Sequence, residues 1–227
     1  ASATSNANVG SYSITNLSGI TISDEAGANA SSGALAANYT LTGGTHNFAI
    51  NRKSVNISGT REYDGTTNIA AADISTITDT VNSEVLAMSG GLGTTSSANV
   101  GAYSLTDTSQ GTLILANGPS GANQGLASNY TLTGGTQDYT ITQRVLNSSG
   151  SKTYDANTNA LAADITLSNL VSGESLNHSG TATISSANAG SYTITNLAGI
   201  TIADGSGGTA SNYTLTGGTH GFTVNPK

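Results

Sequence analysis

The sequence predicts a mainly β protein, tandem small β domains in an elongated array, with a continuous β-solenoid as the alternative. Three observations carry that expectation. Short runs rich in β-branched and aromatic residues, such as SYTITNL (191–197), GITIAD (199–204), NYTLTGG (212–218) and FTVNP (222–226), end in Gly, Asp, Asn or Pro, as strands between turns do. The phrase ANYTLTGGT at 37–45 returns as ASNYTLTGGT at 127–136 and 210–219. Composition agrees: with 29 Gly, 2 Pro and only 8% charged residues, the chain leaves Ser, Thr and Asn to supply wet strand faces and turns.

The repeat extends beyond that phrase. Tyr39, Tyr130 and Tyr213 stand 91 and 83 residues apart, and Phe48, Tyr139 and Phe222 keep the same separations. NVGSY ends at Tyr12, NVGAY at Tyr103 and NAGSY at Tyr192, spaced 91 and 89. REYDGTTN from Arg61 and KTYDANTN from Lys152 put Tyr63 and Tyr154 91 apart. These columns hold all nine Tyr and both Phe. The aromatics are therefore expected to be core anchors, since each buries on the order of 150–250 Å².

The domain reading follows: a partial repeat at 1–53 without the Tyr-Asp-Gly front, and full repeats at 54–144 and 145–227, each with five or six short strands. A unit of 83 to 91 residues can bury a core of its own, though the folded unit can also be offset from the sequence repeat. ANGPSGANQGLAS (116–128) carries the six residues by which the second repeat exceeds the third between matched tyrosines, which marks a surface loop. The segments with alanines before Asp73 and Asp164 are ambiguous and suit the approach to a short helix with the Asp as cap. NRKSVN and TQRVLN leave almost no flexible spacer between repeats.

Charge and composition exclude several classes. Net charge is −7 with six Lys and Arg, so no basic stripe exists to neutralise a phosphate backbone, and nucleic acid is not an expected partner. No apolar run near 18 residues and no charged-then-apolar start occurs, so neither membrane insertion nor a signal peptide is read here. The absence of Cys excludes disulfides and thiolate sites.

Catalysis is not expected. His46 and His220 share a column in which the second repeat has Gln137, and His178 has no counterpart; a general base is not replaceable by Gln. No G-x-S-x-G, H-E-x-x-H or phosphate-cradling loop is present. Carboxylates recur more faithfully: Asp64 and Asp155, Asp73 and Asp164, Glu84 and Glu174 are candidate calcium ligands, with turn and cap roles as the favoured reading. No other cofactor is expected. Ranks of Thr in the T-x-T phrases recur too sparsely for a lattice-matching face and read as half-exposed strand residues. Lys53, Lys152 and Lys227 share no recurring position that would staple repeats covalently. N-x-S/T sequons stand at Asn16, Asn29, Asn38, Asn56, Asn129, Asn147, Asn177 and Asn212.

The ordered phrases EYDGTTN and TYDANTN, ANVGAYSLT and ANAGSYTIT, SNYTLTGG and FTVNPK resemble the YDG and MBG-type repeats of large bacterial surface exoproteins, similar to filamentous haemagglutinin and exported by two-partner secretion. The resemblance covers both full repeats and, less its front, the partial one. It implies β-grasp-like or β-sandwich domains in an extracellular stalk or spacer that projects an adhesive tip from the cell surface, in cell adhesion or biofilm. Implied partners are neighbouring repeats of the same chain, with host surface, polysaccharide or homotypic contacts as further options. The runner-up is a carbohydrate- or protein-binding module that uses inter-strand loops such as 116–128. Ala156 stands where the first Tyr-Asp-Gly phrase has Gly65, which reads as that glycine not being an absolute backbone requirement.

Overall fold

The structure, a computed structural model, describes residues 8–24, 35–104 and 110–227. It is mainly β, and its only helical elements among the described residues are three-residue 3-10 turns. The strands form small sheets and one nearly closed, barrel-like sheet rather than the continuous coils of a solenoid. Contacts divide the chain into two compact units: Ala1–Val55, Thr78–Ala87 and Leu115–Gly135 form one, and Asn56–Ile77, Met88–Ile114 and Thr136–Lys227 the other. Residues of the 54–144 sequence repeat fall in both.

In the first unit, strand Gly10–Ser13 runs antiparallel to Asn47–Ile50, with Tyr12 opposite Phe48. Lys53–Ser54 runs parallel to Tyr130–Thr131, and the Val55 N–H donates to the Thr131 carbonyl at 3.0 Å. The loop 116–128 is tied down by backbone bonds, Val85 N to Asn123 O at 2.7 Å and Gly125 N to Val85 O at 2.8 Å. Val55, Leu86, Tyr130 and Leu132 are its buried apolar side chains.

In the second unit, Ile74–Thr78, Asn56–Glu62, Gln137–Thr142 and Gly101–Ser104 form a four-stranded sheet in that order, and Asn56–Glu62 runs parallel to Gln137–Thr142. The large sheet runs Asn159–Leu161, Leu176–Ile184, Gly190–Asn196, His220–Asn225, Asn147–Thr153, Ile165–Ser168, with Ile200–Asp204 also paired to Leu176–Ile184. Its two end strands are joined by the 3-10 turn Ala162–Asp164, so the sheet curls back almost onto itself. Ala160, Ala182, Ile184, Ile194, Phe222 and Val224 fill it, small residues interleaved with a single large ring. A second cluster gathers Tyr63, Ile69, Tyr139, Ile141, Leu146 and Tyr213.

Two expectations need correction. The Ala-rich segments do not start helices; they make the turns Ala71–Asp73 and Ala162–Asp164, which lead into the β-branched strands Ile74–Thr78 and Ile165–Ser168. Asp73 closes its turn from the far end, its Oδ2 accepting the Ala70 N–H at 2.9 Å. The expected five or six strands per repeat are also too few, since eight strands begin within residues 145–227. Polar runs such as NSSGSKT form full strands here because their backbones are paired on both edges.

Candidate functional site: a joint between repeats

The site is assembled from local devices that recur with the phrases. In N-x-G-x-Y, the tyrosine folds back over the glycine and donates its hydroxyl to the carbonyl four residues earlier: Tyr12 to Asn8 at 2.6 Å, Tyr103 to Asn99 at 2.5 Å, Tyr192 to Asn188 at 2.8 Å. A Cβ on Gly10, Gly101 or Gly190 would lie 3.1, 3.3 or 2.9 Å from that hydroxyl, which explains the glycine in all three phrases. In T-L-T-G-G, the first Thr hydroxyl oxygen accepts the N–H of the second, at 3.1 Å in Thr40–Thr42, 3.2 Å in Thr131–Thr133 and 3.1 Å in Thr214–Thr216. His46 and His220 close these turns through Nε2 on the carbonyls of Leu41 and Leu215, at 2.7 and 2.9 Å. Nδ1 of His220 meets Ser148 Oγ at 2.9 Å. This buried Ser-His pair has a carbonyl, not a carboxylate, on its far nitrogen, so it is a turn clamp. His178 Nε2 likewise bridges the carbonyls of Ala162 and Ile165.

The Tyr-Asp-Gly turn is ionic. Arg61 donates to Asp64 Oδ1, which also accepts the Thr66 N–H at 2.9 Å. Lys152 pairs with Asp155 at 2.8 Å, and with Asn157 this holds the Asp155 carboxyl below the usual range. Gly65 and Ala156 both adopt left-handed backbone, φ 78° and 65°, so the position does require this conformation and the alanine tolerates it under strain.

In the second unit these devices meet. The Tyr213 hydroxyl accepts the Val171 N–H at 3.1 Å and donates to Glu174 Oε2 at 2.5 Å. Glu174 Oε1 accepts the Tyr63 hydroxyl at 2.6 Å, and the two rings meet edge to face at 5.4 Å. Burial, reinforced by Glu174, pushes both phenols up to about 12. Beside them Asn212, 1% exposed, accepts the Val100 N–H and donates to Asn99 Oδ1, each at 2.9 Å. The connecting segment is fastened as well: Gln143 donates to the carbonyls of Ser211 and Tyr213, Arg144 to Asn169 and Tyr63, and Val145 N to Glu62 Oε1. The front of the 54–144 repeat is thus locked to the tail of the 145–227 repeat.

The first unit rebuilds much of this from the same columns. Asn129 accepts the Val9 N–H at 2.9 Å and donates to Asn8 at 3.0 Å. Tyr130 accepts the Val81 N–H and donates to Glu84 Oε2 at 2.6 Å, and burial raises its pKa. Lys53, in the Arg144 column, pairs with Asp79 at 2.6 Å. A cavity of about 230 Å³ lies beside it, lined by residues that include Val9, Ile50, Asn51, Glu84 and Tyr130.

Residues 137–220 carry a YDG domain. The YDG domain begins with strand Gln137–Thr142, ahead of the boundary suggested by the sequence repeat, and ends at the start of the closing strand His220–Asn225. No curated protein and no solved structure matches the chain.

The repeated aromatics divide three ways. Tyr63, Tyr130, Tyr139, Tyr213 and Phe222 are buried, and Tyr12, Tyr103 and Tyr192 are half-buried. Tyr39, Phe48 and Tyr154 are 63, 47 and 39% exposed, contrary to the core expectation. Phe48 lies on a strand that pairs, among the described residues, only with Gly10–Ser13, whereas the strand of Tyr139 pairs with Gly101–Ser104 and Asn56–Glu62. The candidate calcium ligands are not brought together: no three His, Asp or Glu converge in metal-binding geometry among the described residues. Glu84 and Glu174 instead serve as tyrosine acceptors, a role the sequence reading missed; the signal was the paired recurrence of Glu84 with Tyr130 and Glu174 with Tyr213. Asn212 is locked away and unavailable to a glycosyl donor in the folded chain, whereas Asn16, Asn38 and Asn177 are exposed. Asn29 lies outside the described residues.

Proposed function

We propose that this chain is a stretch of extracellular stalk from a repetitive bacterial adhesin, spacing an adhesive tip from the cell surface after two-partner secretion. The observation that carries the reading is the joint itself. The Asn clasp is built twice from matching columns, and the connecting residues 143–145 spend their side-chain and backbone groups on neighbours instead of leaving slack. Such a joint transmits position and resists bending, as a spacer requires. Glu84 and Glu174 are committed to tyrosines, and Asp64 and Asp155 to turns and cations. Extracellular placement and an adhesive parent protein rest on the resemblance of the phrases and on the YDG domain.

Small-angle X-ray scattering of the chain, with and without a calcium chelator, tests the reading. One extended, stiff particle unchanged by chelation is expected. A compact globule, or parts that tumble independently, would overturn it. Protease treatment of intact cells that leaves the parent protein uncleaved would remove the surface location.

A further inference from the structure

The two full repeats differ inside the second unit by a matched pair of residues. Ile57, Gly59 and Arg61 share the inward face of Asn56–Glu62, beside Gln137, Tyr139 and Ile141 on the parallel strand. In the last repeat the columns of Arg61 and Tyr139 hold Lys152 and Phe222. There the Lys152 ammonium is fully engaged by Asn157, Asn159 and Asp155, and the phenyl ring needs no partner. Exchanging that pair for Arg61 and Tyr139 adds a guanidinium Nε–H and a hydroxyl to the inward face together. Arg61 spends its terminal nitrogens on Glu62, Asp64 and Thr66. Its Nε and the Tyr139 hydroxyl are both buried without a hydrogen-bond partner among the described residues. We propose that Tyr139 Oη, Arg61 Nε and the Asp73 carboxylate together bind one internal water molecule, a site that the last repeat lacks.

Asp73 completes the site. Its backbone packs against the same strand, so closely that a Cβ on Gly59 would collide with the Asp73 carbonyl. Burial and then the Asp73 carboxylate push the Tyr139 phenol above its ordinary pKa, and Arg61 opposes them, so both charges act on the hydroxyl. Asp73 Oδ2 accepts the Ala70 N–H, which leaves Oδ1 for a further donor among the described residues. The chemistry of the three groups selects the ligand. The guanidinium Nε only donates, the carboxylate only accepts, and the phenol does either. A cation is repelled by Arg61 and an anion by Asp73, so the occupant is neutral and both donates and accepts. Water does this with three bonds, the usual number for an internal water: it accepts from Nε–H, donates to Asp73 Oδ1, and shares a third with the phenol. Tyr139 is 0% exposed and the Arg61 side chain 8%, so leaving these donors unpaired would cost the desolvation of both. The site stands whether or not the chain is a stalk.

The test is deuterium relaxation dispersion of the solvent around the full chain, which counts waters held for longer than the protein takes to tumble. Tyr139→Phe is expected to remove the amplitude of one long-lived water. Tyr139→Phe combined with Arg61→Lys, which installs the pair of the last repeat, should remove the same water and no other. Unchanged circular dichroism in both variants excludes misfolding as the cause, and the double variant carries a pair that the chain already accommodates at matched positions. A crystal structure of the unsubstituted chain should show a solvent atom within hydrogen-bond reach of Tyr139 Oη and Arg61 Nε. Equal amplitudes in all three proteins overturn the proposal, as does a crystal structure in which the Tyr139 hydroxyl bonds Asp73 directly.

Discussion

Tyr63 donates its hydroxyl to Glu174, 111 residues away, at 2.6 Å, and Tyr213 donates to the other oxygen of the same carboxylate. Hydrogen bonds to an ionised group contribute about 1.5–3 kcal/mol each, and the half-buried carboxylate would be left under-solvated without them. Tyr63→Phe is therefore expected to destabilise the chain by about 1–3 kcal/mol, and Glu174→Gln by a similar amount. In a double-mutant cycle read by urea denaturation, the two losses should overlap by about 1 kcal/mol or more. Additive losses would mean that the bond does not hold the joint.

Alkaline pH attacks the same contact. The phenols of Tyr63 and Tyr213 are raised from 10.0 to about 12, by burial first and Glu174 next, so the folded chain holds these protons more tightly than the unfolded chain. Their stabilisation is whole below about pH 10 and disappears as pH climbs from about 10 to about 12. Melting temperature should fall across that window together with growth of tyrosinate absorbance, and Tyr63→Phe should shrink the pH-dependent part. A melting temperature flat to about pH 12 would contradict the coupling.

The Tyr-Asp-Gly turn gives opposite expectations for its two copies. Ala156 has φ 65°, so Ala156→Gly removes a left-handed strain of about 1–2 kcal/mol against an added unfolded-state entropy of about 0.5–1 kcal/mol, a net gain of up to about 1.5 kcal/mol. Gly65→Ala adds that strain and also puts a Cβ 3.0 Å from Val171 Cγ1, for a loss of about 1–3 kcal/mol. Thermal melts of the two variants check the signs. A stabilising Gly65→Ala would mean that the turn relaxes freely.

Strand existence, the repeat columns and the Asp of Tyr-Asp-Gly as a turn residue were legible because they are local, whereas the hydroxyl bonds of the T-L-T turn and the folded-back Tyr of N-x-G-x-Y, equally local, were read as strand threonines and core anchors. The joint was not legible. Glu84 and Glu174 recur like any acidic turn residue, and only the fold shows that their partners are tyrosines 46 and 39 residues onward. The exposed Tyr39, Phe48 and Tyr154 misled for the same reason. Burial of a repeated aromatic depends on which segment covers it, and that cover comes from elsewhere in the chain. The short-helix expectation failed because Asp73 caps from the end of its turn, a geometry that a three-residue spacing does not distinguish from an N-terminal cap.

The asparagine of the opening phrase offers a sharp contrast at matched positions. Asn38 and Asn212 occupy one sequence column, but Asn38 is exposed while Asn212 is 1% exposed with both ends of its amide engaged. Asn212→Ala leaves the Val100 N–H and Asn99 Oδ1 without partners and opens space beneath the clasp, for an expected loss of about 2–4 kcal/mol. Asn38→Ala removes nothing buried and should stay within about 0.5 kcal/mol. Asn212→Asp keeps the acceptor for Val100 but sets a charge against Asn99 Oδ1, so it should fall between the two. Urea denaturation ranks the three. If Asn38→Ala proved as damaging as Asn212→Ala, the column would act through the phrase alone, and the clasp would lose its place as the element that locks one repeat to the next.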